Sequence, residues 1–222
     1  MSFAHLPGIW LRTARRAGAK GDVAGVGARL LAAYGAPARG YHDLRHLDEV
    51  LRTVDDLAHR AADADAVRLA AWFHDAVYDV HALNSADSEE RSAELAGREL
   101  RRLRVAADRV AEVRRLVLLT RTHDPAPGDV DGAVLCDADL AVLAAEPARY
   151  RDYADGVRRE YAHVPDEQFA TGRSAVLRSL LDLPALYRTP EARAWEPVAR
   201  ANVEAELARL SPGAPPAAAS GA

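Results

Sequence analysis

Apolar residues recur along most of the chain at three- and four-residue intervals, the spacing that places them on one face of an α-helix. The first such run, residues 23–34, follows Asp22, whose carboxylate is suited to cap a helix N-terminus, and ends at Gly35-Ala36-Pro37. The pattern predicts further helices over residues 41–57, 64–78, 85–103, 105–122, 132–145, 147–163, 165–183 and 191–210. The two-residue period of a β-strand persists nowhere, so the sequence predicts an all-α fold.

The nine predicted helices are expected to form one domain, residues 1–210. A chain of 222 residues is long enough for one substantial core and short for two. Residues 211–222 contain only Ser, Pro, Gly and Ala, a composition typical of a disordered tail. The sequence therefore predicts a single-domain helical bundle followed by a disordered segment.

Charge and composition exclude several classes of function. The formal net charge is −4 and no run of Lys or Arg stands out, so a nucleic-acid polymer is not an expected partner. No stretch approaches the roughly 20 apolar residues of a membrane-spanning helix, and we expect neither a membrane partner nor a signal peptide. Cys136 is the only cysteine, so an internal disulfide or a thiolate cluster cannot form. These features predict a cytoplasmic protein.

The dipeptide His74-Asp75 lies in an otherwise apolar segment, residues 70–78. Adjacent buried ionisable groups are costly unless they are paired or hold a cation. The chain offers further imidazoles and carboxylates that a helical bundle can bring together: His46, His123, Asp137 and Asp139. Imidazole and carboxylate ligands suit Mn, Fe, Co, Ni, Mg or Zn rather than a metal that prefers thiolates. The sequence therefore predicts a metal centre inside a helical bundle.

The segment His42-Asp43-Leu44-Arg45-His46 can also be interpreted as the metal-binding helix of a zinc protease. Two histidines four residues apart share a helix face, as that motif requires. The aspartate is one methylene shorter than the glutamate that serves those enzymes as general base. The pair also falls at the start of a helix, after Pro37 and Gly40, rather than inside one. Both features disfavour the protease interpretation.

The order His46, His74-Asp75, Asp139 resembles the H…HD…D pattern of the HD-domain superfamily of metal-dependent phosphohydrolases. A bacterial branch of predicted HD phosphohydrolases is similar over residues 22–207. The segments that carry this resemblance are Tyr41-His42, Ala71 to Asp79, Glu89 to Ala93, Thr120 to His123, Leu135 to Leu140, Tyr150 to Tyr153, Val157 to Tyr161, Gly172-Arg173 and Leu186-Tyr187. The resemblance implies a helical bundle of the HD-domain type.

The resemblance also implies four ligands for a divalent metal ion: His46, His74, Asp75 and Asp139. Asp137 is the alternative to Asp139 as the fourth ligand. It could otherwise orient one of the ligands. His42, four positions before His46, is expected to lie beside it on the same helix face.

Four residues are predicted to act on the substrate: Asp75, His123, Arg158 and Arg173. Asp75 would orient a water whose pKa the metal lowers. His123 would bind a second metal or a phosphate oxygen, or protonate the leaving group. Arg158 and Arg173 would neutralise phosphate, because a guanidinium matches its geometry. Glu89 would hold a histidine or an arginine, although a surface ion pair explains Glu89 and Arg173 equally well.

The expected function is that of a phosphohydrolase acting on a small phosphate ester, with a nucleotide as the default substrate. A non-catalytic module that binds metal or nucleotide is the alternative from another class. Oxidative chemistry at a di-iron centre is the least favoured of these functions. A second iron ion would need more histidine and aspartate ligands than His123 alone supplies. A homodimer through Trp195 and the C-terminal helix is possible, but core packing explains those residues equally well.

Overall fold

In the computed structural model, residues 2–80 and 86–211 are described, and over these residues the protein is helical and contains no strand. The α-helices are α1 (Leu6–Arg16), α2 (Val23–Tyr34), α3 (Leu44–Leu57), α4 (Ala64–Phe73), α5 (Ala86–Arg102), α6 (Ala107–Leu119), α7 (Val130–Asp139), α8 (Pro147–Glu160), α9 (Asp166–Leu181) and α10 (Glu196–Leu210). Short 3-10 segments follow α3 and α7 and precede α10: Ala58–Arg60, Leu140–Ala144 and Ala192–Trp195. The prediction of an all-α fold is confirmed for these residues.

The buried apolar side chains form two clusters. The first cluster draws on α1 to α7, from Leu6 to Ala138, and includes the fully buried end of α4. The second draws on Tyr41, on the 3-10 segment after α7 and on α8 to α10. Trp195 packs against both clusters and so links the two halves of the described chain.

Helix α1 was not among the predicted helices. Leu6, Trp10 and Ala14 are buried at four-residue intervals, but the pattern extends over only 11 residues and is interrupted by Gly8. The Trp10 indole N–H donates to the carbonyl oxygen of Val23 at 2.6 Å, and its ring meets that of Trp72 edge-on at 5.4 Å. The formation of this helix therefore depends more on tertiary packing than on its local sequence pattern.

The helix boundaries differ from the prediction where they matter most for the candidate site. α4 ends at Phe73, so the predicted continuation to Tyr78 is wrong, and His74 and Asp75 occupy the turn that follows it. α3 begins at Leu44 rather than near residue 41, because the Asp43 carboxylate caps it by accepting from the N–H groups of Arg45 and His46. The predicted helix 132–145 is instead α7 followed by a 3-10 segment.

The remaining boundaries agree with the prediction to within a few residues. The predicted helix over 191–210 divides into the 3-10 segment Ala192–Trp195 and α10. The predicted start of the fourth helix at Ser85 and almost all of the predicted disordered tail, residues 212–222, lie outside the described residues. Within the described part of the chain, every helix is too short or too polar to cross a bilayer.

Candidate metal centre

Two imidazoles and two carboxylates converge between α3, α4 and α7. The Nε2 atoms of His46 and His74 lie 3.0 Å apart. Asp75 Oδ2 lies 3.4 Å from His46 Nε2 and 3.1 Å from His74 Nε2. Asp139 Oδ1 lies 3.3 Å and 3.4 Å from the same two nitrogens. His46, His74 and Asp75 can hold a metal ion, because their ligand atoms all lie within 4.8 Å of one another.

The charges of this cluster compensate one another. Burial acts to raise the pKa of Asp75, but the charges of His74 and His42 outweigh it and hold that pKa well below its ordinary value. Asp139 behaves in the same way, through His74 and a hydrogen bond with His123. Burial acts to lower the pKa values of His46 and His74, and the carboxylates raise them instead. Both carboxylates therefore stay ionised, the form that binds metal.

Hydrogen bonds hold the side chain of His74 and the backbone of Asp75. His74 Nδ1 donates to the carbonyl oxygen of Ala71 at 2.8 Å, so Nε2 is the nitrogen that faces the cluster. The backbone N–H of Asp75 donates to the hydroxyl of Tyr34 at 3.2 Å. Burial raises the pKa of Tyr34 to about 12, so this hydroxyl keeps its proton at ordinary pH. Contacts with Tyr34 on α2 and Ala71 on α4 therefore support the cluster.

Asp137 and Asp139 take different positions. Asp137 is wholly buried, and its two oxygens accept from the backbone N–H groups of Arg188 at 2.8 Å and Thr189 at 2.7 Å. This carboxylate anchors the segment before α10 and does not join the cluster. Asp139 is the last residue of α7 and faces His46 and His74. Of the two aspartates left open by the sequence, the geometry favours Asp139 as the ligand.

His123 lies at the rim of the cluster. Its Nε2 is 2.9 Å from Asp139 Oδ2, and its side chain is largely buried. The backbone of His123 is in the left-handed region, with φ of 51°, a conformation that is uncommon outside glycine. The turn after α6 therefore adopts an unfavourable conformation that brings this imidazole to Asp139.

The two predicted arginines are engaged away from the ligands. Arg173 is buried on α9, where it pairs with Glu206 at 2.8 Å and donates to the hydroxyl of Tyr153 at 2.7 Å. Arg158 donates to the carbonyl oxygens of Tyr161 and Val164 and to the Asp166 carboxylate. Both arginines stabilise the part of the molecule that contains the second apolar cluster. Among the described residues, neither arginine is hydrogen-bonded to a candidate metal ligand.

Glu89 on α5 is half-buried, and its Oε2 is buried without a hydrogen-bond partner among the described residues. Burial raises the pKa of Glu89, and the negative charge of Asp75 adds to the effect, whereas Arg121 and His123 oppose it. The carboxyl group is therefore under the electrostatic influence of the cluster and of Arg121.

A pair formed by His42 and the buried Glu160 was not predicted from the sequence. Glu160 Oε2 lies 2.8 Å from His42 Nδ1, and its Oε1 accepts from the backbone N–H groups of residues 40–42 at 2.9–3.0 Å. The His42 ring lies against Tyr78 at 4.1 Å and against His46 at 5.6 Å, between ring centroids. Nε2 of His42 is left without a hydrogen bond to the described residues. An imidazole held in this way can hold or release a proton at one defined atom.

Comparisons with protein-family models, with curated proteins and with solved structures find no match.

Proposed function

We propose that this protein is a metal-dependent phosphohydrolase that acts on a small phosphate ester, with a nucleotide as the default substrate class and a helical bundle of the HD-domain type as its fold. The observation that supports the proposal is the convergence of His46 and His74 with Asp75 and Asp139, from three helix ends that are far apart in sequence. Two imidazoles and two carboxylates form a ligand set for Mn, Fe, Co, Ni, Mg or Zn.

These four side chains would hold the cation. A divalent ion there would polarise a phosphoryl oxygen and make a bound water more acidic. Asp75 is the most exposed of the four proposed ligands, with 15% of its side chain accessible, and would orient such a water. His123, at the rim beside Asp139, would bind a phosphate oxygen.

The pair of His42 and Glu160 extends this mechanism. Glu160 fixes Nδ1 of His42, so Nε2 is the atom that can exchange a proton with the substrate. The mechanism as proposed does not use Arg158 or Arg173, because their guanidinium groups are occupied by carboxylate, hydroxyl and carbonyl partners. Charge neutralisation of the phosphate is assigned to the cation instead.

The experiment is phosphate release from a panel of nucleotides and sugar phosphates. Metal-stripped protein is reconstituted with Mn, Co, Ni, Mg or Zn, beside Asp75→Asn and the matched control Asp65→Asn. Asp65 lies at the other end of α4, where it pairs with Arg16 and Arg68. Metal-dependent release that Asp75→Asn abolishes and Asp65→Asn retains supports the proposal.

Absence of release from folded, metal-loaded wild-type protein would contradict the hydrolase proposal. If nucleotide or metal binding then persists, the protein acts as a non-catalytic binding module. Release that is equal in both variants would assign the activity to another site or to a contaminant.

A further inference from the structure

We propose that Arg39 is a positioning residue that holds the segment carrying His46 against the segment carrying Asp75, and thereby sets the affinity of the metal centre. This inference rests on the proposed metal site. Arg39 contacts none of the four ligand side chains; it acts through the backbone on both sides of the cluster.

The guanidinium of Arg39 joins its own loop to a turn that lies 36 residues further along the chain. Its Nη1 donates to the carbonyl oxygens of His42 and Asp75, each at 2.7 Å. Its Nη2 donates to the carbonyl oxygen of Ala76 at 3.2 Å. The first carbonyl belongs to the loop that leads into α3 and His46. The other two belong to the turn that carries Asp75, so a single planar group determines how the two segments approach each other.

This contact also stabilises the turn that follows α4. The carbonyl groups of a turn that leaves a helix have no helical N–H partner, so other donors must satisfy them. Here a cation supplied by a distant segment satisfies the carbonyl groups of the turn that follows Phe73. A guanidinium suits this task because its donors lie in one plane at fixed separations, whereas a lysine ammonium has one nitrogen.

Aromatic rings keep the guanidinium in place. Its central carbon lies over the Tyr34 ring at 5.1 Å and over the Tyr78 ring at 5.6 Å. Tyr34 accepts from the Asp75 N–H, and Tyr78 lies against the His42 ring at 4.1 Å. Tyr34 therefore contacts the segment that carries Asp75, and Tyr78 contacts the segment that carries His42. The contacts reinforce one another, as expected for residues that orient metal ligands.

The test compares Arg39→Lys and Arg39→Ala with Arg200→Ala. Arg200 is a matched control, because it is also half-buried and its Nη atoms donate to the carbonyl oxygens of Leu181 and Leu183, at the end of α9. Co²⁺ is titrated into metal-stripped protein, with calorimetry for affinity and visible absorption for the coordination geometry. The free energy of unfolding without metal is measured by urea titration.

We expect both Arg39 variants to bind Co²⁺ about 10- to 100-fold more weakly than the wild type and to give an altered visible spectrum. Arg39→Lys keeps the charge, so failure of lysine to restore binding would show that the planar fork is required. Arg200→Ala should lose stability while its Co²⁺ affinity and spectrum stay at the wild-type values.

Wild-type affinity and spectrum in a folded Arg39→Lys variant would overturn the inference while leaving the metal site intact. So would an equal loss of affinity in Arg200→Ala, because general destabilisation would then explain the effect. Failure of the wild-type protein itself to bind Co²⁺ would instead overturn the proposed metal centre, and this inference with it.

Discussion

Asp137 and Asp139 on α7 are two positions apart and face different parts of the molecule. Asp139→Asn is expected to weaken metal binding by at least 10-fold, because a charged ligand is lost, while the fold is kept. Asp137→Asn is expected to lower the free energy of unfolding by about 1–3 kcal/mol, because an amide N–H₂ would face one of two backbone donors.

Metal titration and urea unfolding of both variants check this pair of outcomes. The opposite pattern, with metal binding lost in Asp137→Asn and retained in Asp139→Asn, would show that the ligand has been assigned to the wrong aspartate.

Glu160 should contribute to the pH dependence of stability. Burial acts to raise its pKa, but the hydrogen bond and charge of His42 outweigh it and lower the pKa. A group with a lowered folded-state pKa stabilises the protein above its unfolded value, about 4.3 for glutamate, and this contribution is lost as the pH falls through the folded value. Glu160→Gln should therefore be less stable than wild type at pH 7, and the difference should shrink below about pH 4.

Urea unfolding of wild type and Glu160→Gln at pH 7, 5, 4 and 3 tests this expectation. A difference in the free energy of unfolding that stays constant over this range would contradict it, since the charge on Glu160 would then have no part in the stabilisation.

The sequence indicated the candidate ligands better than the residues that support them. His46, His74 and Asp75 are conspicuous, because ionisable groups in apolar surroundings need a partner or a cation. Glu160 is 118 residues from His42, and Arg39 is 36 residues from Asp75. No local pattern pairs residues at such separations. Arg173 could be read equally as a phosphate ligand or as an ion-pair partner, and only the fold places Glu206 beside it.

At the scale of the elements, the candidate ligands lie at helix ends rather than in helix interiors. His46 is in the first turn of α3, His74 and Asp75 follow α4, and Asp139 closes α7. Periodicity predicted that these helices exist, but it extended α4 to Tyr78, because the apolar run continues past Phe73. The Arg39 hydrogen bonds that hold the turn after Phe73 come from another part of the chain and leave no local signal.

The loop that leads into α3 lies directly on α8, through two glycines. A Cβ atom on Gly156 would lie 2.7 Å from the carbonyl oxygen of Gly40, closer than real Cβ atoms approach. Gly156→Ala should therefore lower the free energy of unfolding by about 1–3 kcal/mol. It should also weaken metal binding, because this loop positions His42 and precedes His46.

Gly172→Ala is the matched control on α9. Its Cβ would meet nothing within 4 Å, and this exposed helical position should gain up to about 1 kcal/mol from the better helix propensity of alanine. Thermal unfolding of the two variants provides the comparison. A Gly156→Ala protein as stable as Gly172→Ala would mean that the loop can move away from α8 without cost.

At the scale of the whole molecule, polar contacts as well as Trp195 link the two apolar clusters. Asp137, between buried residues of the first cluster, holds the backbone at residues 188–189, and Glu160 on α8 holds the loop that leads into α3, a helix of the first cluster. We expect the clusters to unfold together, so that urea transitions followed by far-UV circular dichroism and by tryptophan fluorescence coincide. Two separate transitions would contradict the prediction of one domain.

The most direct test of the metal centre is a calorimetric titration of metal-stripped protein with Mn²⁺ and Zn²⁺, on wild type, His74→Asn and His59→Asn. His59 is an exposed histidine that pairs with Glu191, and it serves as the control. We predict that wild type and His59→Asn bind at least one ion per chain with equal affinity. His74→Asn should bind the ion at least 10-fold more weakly. Equal affinities in all three proteins, or no binding by the wild type, would contradict it.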